Sequence, residues 1–249
     1  VCSSDLSGHL EMIKPVPGRE DKAVARLVQR YQARVNKVLG QKIGVAAVDL
    51  DGEHVRQRET NLGDFLADIF RKTAGADAAI FNGGGIRTSI PKGEITVKEV
   101  YAVLPFDNYL VAIKLTGKQI KEALEHGVSG IEEGAGRFPQ VSGLSFTYSR
   151  KAPAGSRVKD IRIGEAPLDP KKEYAVATND FMAAGGDGYQ AFGEALKSSR
   201  DFANIGGALK GEKLVYNDAG RWLRTLVIDY IREQKEIAPK VDGRIKEKD

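Results

Sequence analysis

A short apolar run ends in three consecutive glycines in the stretch Phe81-Asn82-Gly83-Gly84-Gly85-Ile86-Arg87. The apolar residues 78–81 follow a predicted helix, and so short a run indicates a buried strand. Glycine lets the backbone approach a ligand closely, so the N–H groups of this loop are candidates to face an anion or the edge of a base. The stretch alone is equally typical of a ligand site and of a tight turn. It is neither a dinucleotide fingerprint nor a P-loop.

Two polar side chains flank the glycines, and a second segment repeats the pattern. Asn82 carries an amide that both donates and accepts hydrogen bonds, and Arg87 carries a planar cation that suits phosphate. The apolar strand predicted over residues 174–178 also runs into polar residues and glycines, in the segment Asn179–Tyr189. Within that segment, Asp187 can accept hydrogen bonds from two hydroxyl groups, as a ribose diol offers.

Two aromatic residues and a pair of arginines complete the candidates. Phe181 lies at the end of the second strand, and Phe106 lies on a predicted loop, where an exposed ring can stack on a flat ligand. Residues 55–59 are predicted to be extended, which would put Arg56 and Arg58 on one face. Each feature alone also has a plain structural interpretation: a core phenylalanine, a capping aspartate or a solvated charged strand. Their joint occurrence favours a nucleotide site.

Hydrophobic periodicity and turn residues predict the other elements. Asp21 is expected to cap a long amphipathic helix that ends at Gly40, and Asn61 is expected to cap the helix before the glycine loop. Helices are predicted over residues 21–39, 61–74, 97–103, 118–126 and 220–234, and strands over residues 43–50, 109–115, 139–148, 157–163 and 174–178.

Composition limits the classes of function. The 249 residues suffice for one large domain or two small ones, and the net charge of +4 comes from bases interspersed with acids. A nucleic-acid partner is therefore not expected, and no apolar run reaches the roughly 18 residues of a membrane span. The only cysteine, Cys2, excludes an intramolecular disulfide. The chain lacks an initial methionine and is interpreted as a piece of a longer protein, with residues 1–6 resembling sequencing read-through.

Several motifs stand in an order and at a spacing that fit one family. They are Arg56-x-Arg58-Glu59-Thr60-Asn61-Leu62-Gly63, Asn82-Gly83-Gly84-Gly85-Ile86-Arg87, Leu104-Pro105-Phe106, Pro139-Gln140-Val141-Ser142-Gly143 and Asn179-Asp180-Phe181-(x)3-Gly185-Gly186-Asp187-Gly188-Tyr189. From about Asp21 to Ile245 the chain resembles the C-terminal domain of the 5′-nucleotidase/UDP-sugar hydrolase family. The resemblance implies an α+β fold of mixed β-sheets layered with helices. It divides the chain into a leader and linker (1–18), an inter-domain helix (19–40) and the family domain (41–249).

The resemblance also implies roles for individual residues. It implies that the rings of Phe106 and Phe181 sandwich the base, that Asn82 bonds its edge and that Asp187 holds the ribose hydroxyls. Gly84 belongs to the same substrate-binding set. The phosphate would lie against the two remaining members, Arg56 and Arg87, whereas Arg58 has no clear family role.

In that family the catalytic half is a separate N-terminal metallophosphoesterase domain that holds two divalent metals. None of the three histidines here, His9, His54 and His126, lies in an Asp-x-His or Gly-Asn-His-Glu motif. We therefore expect no catalytic residue, metal or other cofactor in this chain, and no hydrolysis by it alone. The expected partners are a nucleotide or nucleoside and the metallophosphoesterase domain of the same parent, a periplasmic or secreted protein of bacterial type.

Alternative functions stay open from the sequence. One is a stand-alone nucleotide-binding module without a catalytic partner. Others are the equivalent domain of a 2′,3′-cyclic phosphodiesterase or of a thiosulfate-hydrolysing relative, which are expected to differ at the base-stacking positions. The presence of both Phe106 and Phe181 favours a nucleoside ligand. The preferred base, the number of phosphates and the oligomeric state are not indicated.

Overall fold

A computed structural model describes residues 8–12, 14, 16 and 18–248 of the chain. The interpretation of residues 1–6, and the prolines of the expected linker at positions 15 and 17, lie outside the described residues. The chain divides after Gly40 into two compact units. In the first unit, helix α1 (Lys22–Leu39) begins after Asp21, whose carboxylate accepts the N–H groups of Ala23 and Val24. No residue of α1 is buried.

The second unit contains both strands and helices. Its helices are α2 (Asn61–Ala74), α3 (Val97–Val103), α4 (Gly117–Val128), α5 (Asp180–Ala183), α6 (Gln190–Lys197) and α7 (Leu223–Gln234). Its strands are β1 (Lys42–Ala46), β2 (Ala78–Asn82), β3 (Gly93–Thr96), β4 (Tyr109–Thr116), β5 (Pro139–Ser142), β6 (Leu144–Tyr148), β7 (Val158–Ile163), β8 (Ala166–Pro167), β9 (Glu173–Asn179), β10 (Ala203–Ile205), β11 (Ala208–Lys210), β12 (Leu214–Trp222), β13 (Glu236–Ile237) and β14 (Ile245–Glu247).

The largest sheet in the described part of this unit is mixed and has five strands in the order β12-β4-β9-β2-β5. Strands β2 and β9 are parallel, so their carboxyl ends, at Asn82 and Asn179, lie at the same edge. Strand β4 is antiparallel to β9 and pairs Leu110 with Asn179, so the loop before β4 reaches that edge too. The topology thus brings the glycine loop, the Phe181 segment and the Phe106 loop together.

Helices cover both faces of this sheet. On one face, Ile80 of β2 belongs to a core shared with α4, α6 and the four-stranded sheet β14-β6-β7-β8. On the other face, the ring of Phe81 packs against Phe70 of α2 with centroids 5.1 Å apart. Every residue of β2 is buried, which explains why its first four residues are continuously apolar instead of alternating. The α+β architecture of mixed sheets layered with helices is confirmed.

The segment predicted to be extended over residues 55–59 forms turns instead. Gln57 and Arg58 both donate their N–H groups to the carbonyl of His54, at 2.9 and 3.1 Å. The buried side chain of Gln140 then binds the carbonyls of Val55 and Arg58, at 3.0 and 2.8 Å. Arg56 and Arg58 consequently share no strand face, and that prediction is wrong.

Four further details of the elements also differ from the predictions. Thr60, not Asn61, caps α2, because its hydroxyl accepts the N–H of Gly63 at 3.0 Å. The strand predicted over 139–148 is two strands, since Gly143 between them has a φ of +65° that turns the chain from one sheet into the other. The first strand ends at Ala46 instead of residue 50, and the last long helix begins at Leu223 instead of residue 220.

Candidate functional site

One cavity of about 590 Å³ lies at the edge where β2 and β9 end. All seven residues predicted for the site line it: Arg56, Asn82, Gly84, Arg87, Phe106, Phe181 and Asp187. Five further residues line it: Gly85, Asp107, Asn108, Gly136 and Asn179. Residues far apart in sequence therefore meet around one concave surface.

Both aromatic rings are at the cavity surface and not in the core. Phe106 is 50% exposed and Phe181 is 44% exposed, so each ring has area available to a ligand. The ring of Phe181 lies against Gly186, where an added Cβ would come within 2.6 Å of three ring atoms. Residue 186 must therefore lack a side chain for the ring to keep this position.

The segments that carry the two rings are joined by Asp180. Its carboxylate accepts hydrogen bonds from the amide of Asn108 at 2.9 Å and from the N–H of Tyr109 at 3.1 Å. Burial raises the pKa of Asp180 above its usual value, and these two donors oppose that effect. The Phe106 loop is thus held to the start of the helix that carries Phe181.

A buried arginine supports the Phe106 loop from the other side. Arg224, only 7% exposed, donates to the carbonyl of Phe106 at 2.9 Å and pairs with the carboxylate of Asp107. Its guanidinium also lies 4.7 Å from the ring centroid of Tyr101. Sequence reasoning missed this residue, although an arginine within the apolar pattern of α7 was the available signal.

Asn82 and Asp187 belong to one chain of side-chain hydrogen bonds. The amide of Asn179 donates to Oδ1 of Asn82 at 3.0 Å, and Nδ2 of Asn82 donates to Oδ2 of Asp187 at 2.6 Å. The other oxygen of Asp187, Oδ1, has no donor among residues 18–248. Asn82 therefore orients Asp187, a contact that the sequence did not predict. Its contact with a base edge stays a prediction.

The backbone of the glycine loop lies very close to the backbone of neighbouring segments. The N–H groups of Gly83 and Gly84 donate to the carbonyls of Phe138 and Gly136, each at 2.7 Å, so these two do not face the cavity as free donors. An added Cβ would lie 2.0 Å from the Val55 carbonyl oxygen at Gly83, and 2.8 Å from the Gly136 Cα at Gly84. None of the three glycines has a positive φ.

The two arginines of the cavity have few partners. Arg56 is half-buried and reaches the carbonyl of Gly134 at 3.5 Å, the outer limit of a hydrogen bond. Arg87 is exposed and donates to the carbonyl of Gly84 at 3.2 Å. Arg58 does not line the cavity and pairs with Asp51 at 3.2 Å. The structure therefore brings two of the three arginines to the site.

Within the described part of the chain, no group of three or more His, Cys, Asp and Glu side chains could hold a metal ion. His54 pairs with Asp51 at 2.9 Å, and Nε2 of His126 lies 2.7 Å from the carbonyl oxygen of Asp187. Nor is any helix in that part long and apolar enough to cross a bilayer.

Residues 42–194 match the family model described as the 5′-nucleotidase C-terminal domain. The chain belongs to this family. It is 42% identical over 240 residues to the trifunctional nucleotide phosphoesterase protein YfkN of Bacillus subtilis (strain 168), covering 92% of this chain and 15% of YfkN. It is 30% identical to the snake venom 5′-nucleotidase of Macrovipera lebetinus, covering 93% of this chain and 58% of that protein.

A solved structure supports the same assignment. The crystal structure of a 5′-nucleotidase precursor from Thermus thermophilus is 40% identical and superposes with a TM-score of 0.77. The match covers 92% of this chain and 43% of that one. The chain thus spans between about one seventh and three fifths of the lengths of these three proteins.

Proposed function

We propose that the cavity binds the nucleoside part of a nucleotide, with the base between the rings of Phe106 and Phe181. The observation that carries the proposal is the convergence of two exposed rings, a carboxylate and two arginines on one cavity of about 590 Å³. Its size lies within the range of small-molecule sites. Stacking of a base on an aromatic ring contributes roughly 1–3 kcal/mol.

The polar side chains of the cavity bind the other parts of the nucleotide. The free oxygen of Asp187 accepts ribose hydroxyls, and Asn82 bonds the base edge with the amide hydrogen that Asp187 does not use. Arg56 and Arg87 take the phosphate, for which a charge-assisted hydrogen bond contributes about 1.5–3 kcal/mol. Gly84 keeps the loop close to residue 136 and so leaves room for the ligand.

In the parent protein this domain recognises substrate for an N-terminal metallophosphoesterase domain with two divalent metals, and α1 is the inter-domain helix that precedes it in the sequence. Metals of this kind lower the pKa of bound water and clamp phosphoryl oxygens. Family membership and the partial coverage of its relatives support this proposal. The name of YfkN extends the substrate class to nucleotide phosphoesters in general. The parent is periplasmic or secreted.

Calorimetry with adenosine and with AMP tests the proposal. The chain should bind both weakly: adenosine carries no phosphate, and the metals that would hold the phosphate of AMP belong to the other domain. Phe181→Ala should weaken adenosine binding about 5- to 150-fold, which corresponds to roughly 1–3 kcal/mol. Tyr31→Ala, which removes a 58% exposed ring of α1, is the control and should leave the affinity unchanged. Equal affinity of wild type and Phe181→Ala would remove the stacking argument.

A further inference from the structure

Asp187 has a backbone conformation that must be held in place. Its φ of 52° and ψ of 18° lie in the left-handed region, which residues with a Cβ rarely adopt. Aspartate visits this region more often than most residues, but it still needs contacts that favour it over the extended and helical regions. Gly185 and Gly188, on either side, also have positive φ angles, so the local chain offers little resistance to rearrangement.

His126 supplies a contact to this backbone from α4, 61 residues away in the chain. Its Nε2 lies 2.7 Å from the carbonyl oxygen of Asp187. A carbonyl oxygen only accepts hydrogen bonds, so Nε2 must carry a hydrogen. The neutral Nε2–H tautomer and the imidazolium both satisfy this requirement.

The imidazole is itself fixed by its neighbours. The ring of Tyr189 meets it edge-on, with centroids 5.2 Å apart, and the Tyr189 hydroxyl donates to the carbonyl of Arg137 at 2.6 Å. An added Cβ at Gly188 would lie 2.8 Å from the imidazole. The lack of a side chain at residue 188 therefore lets His126 reach the backbone of the loop.

His126 acts from outside the cavity, because it is not among the residues that line it. Asn82, which lines the cavity, donates a hydrogen bond to the carboxylate of Asp187, whereas His126 contacts the main-chain carbonyl of the same residue. The two contacts together fix both the side chain and the backbone of the residue that is proposed to receive ribose.

We propose that His126 is a positioning residue for ribose recognition: it holds Asp187 in the conformation that accepts the ribose hydroxyls. This inference rests on the proposed function. It implies that loss of the Nε2–H donor weakens binding of ligands that have ribose hydroxyls and spares ligands that lack them.

The test compares adenosine with 2′,3′-dideoxyadenosine by calorimetry on the 249-residue chain. Wild type should bind adenosine at least about 10-fold more tightly, and Asp187→Ala should abolish that preference. His126→Phe keeps a ring without a donor and should cut the preference at least threefold, with dideoxyadenosine affinity unchanged. His126→Gln restores an N–H donor and should recover most of the preference. His54→Phe is the control, since His54 pairs with Asp51 away from the cavity.

Either of two results would overturn the inference about His126 and leave the proposed function intact. In the first, His126→Phe keeps the full preference for adenosine; in the second, it weakens the binding of both ligands equally. A wild type without any preference, or a preference that survives Asp187→Ala, would instead overturn the proposed role of Asp187. Nitrogen NMR of the wild-type imidazole gives a test that needs no variant. A protonated Nε2 with a slowly exchanging hydrogen is expected, and an unprotonated Nε2 would contradict the inference.

Discussion

Arg224 shows how one buried side chain can set the position of a ligand-facing ring. Replacing it by alanine leaves the carbonyl of Phe106 and the carboxylate of Asp107 without their shared donor. We expect Arg224→Ala to lower the free energy of unfolding by about 1–3 kcal/mol, because a buried charged donor is lost. Urea unfolding measures this change.

Arg221→Ala provides the matched control. Arg221 pairs with Asp229 while both side chains stay more than 40% exposed, so its loss should cost less than about 1 kcal/mol. Equal costs for the two variants would show that Arg224 has no special supporting role. Arg224→Ala should also weaken adenosine binding, since the Phe106 loop loses its support.

For single residues, type and position in the sequence predict which side chains line the cavity. They do not predict which hydrogen bonds keep those side chains in place. Phe106, Phe181 and Asp187 were recognised because each stands at a strand end or on a loop with chemistry that suits a nucleotide. Asn179 and Arg224 act through contacts with residues 97 and 117–118 positions away. Such contacts follow from the sheet order, which one sequence does not reveal.

Among the elements, the C-terminal segment is attached to the start of α2 by two acids. Glu59 accepts the N–H groups of Gly243 and Ile245, each at 2.8 Å. Beside it, Asp64 is 1% exposed and has one carboxyl oxygen, Oδ1, without a partner in the described residues. Burial, and then the neighbouring Glu59 carboxyl, raises the pKa of Asp64 to about 8. Asp64 is therefore mainly protonated near neutral pH.

This raised pKa makes stability depend on pH with a definite sign. An unfolded chain releases the Asp64 proton near pH 4, whereas the folded chain keeps it until about pH 8. The folded state thus binds the extra proton between these values. The contribution of Asp64 to the free energy of unfolding is complete below pH 4 and is lost as pH rises towards 8, by at most about 1.4 kcal/mol per unit.

Asp64→Asn should remove this dependence, because an amide resembles the protonated acid and does not titrate. Chemical unfolding at intervals from pH 5 to 9 measures both proteins. Wild-type stability, relative to the variant, should decrease with rising pH and level off above about pH 8. A difference that stays constant across this range would contradict the raised pKa.

The elements themselves were predicted where local signals agree with the final fold. The helix before the glycine loop and strand β2 follow from apolar periodicity and from Gly75, which ends α2 in a left-handed conformation. The turns over residues 55–59 escaped prediction because Gln140, about 80 positions away, satisfies their carbonyls. The division between β5 and β6 depends on the φ angle of Gly143, which composition alone does not specify.

For the molecule as a whole, we propose that this chain recognises the nucleotide and that another domain hydrolyses it. We expect no phosphate release from AMP when Mn²⁺, Zn²⁺ or Mg²⁺ is added, since the described residues offer no cluster of metal ligands. A phosphate assay measures this, with a complete 5′-nucleotidase as the positive control. Turnover well above a buffer blank would contradict the proposal that hydrolysis belongs to another domain.

A crystal of the chain soaked with adenosine tests the proposed site most directly. The purine should lie between the rings of Phe106 and Phe181, with the ribose hydroxyls within hydrogen-bond distance of the Asp187 carboxylate. A purine bound elsewhere, or in contact with only one of the two rings, would contradict the proposed function.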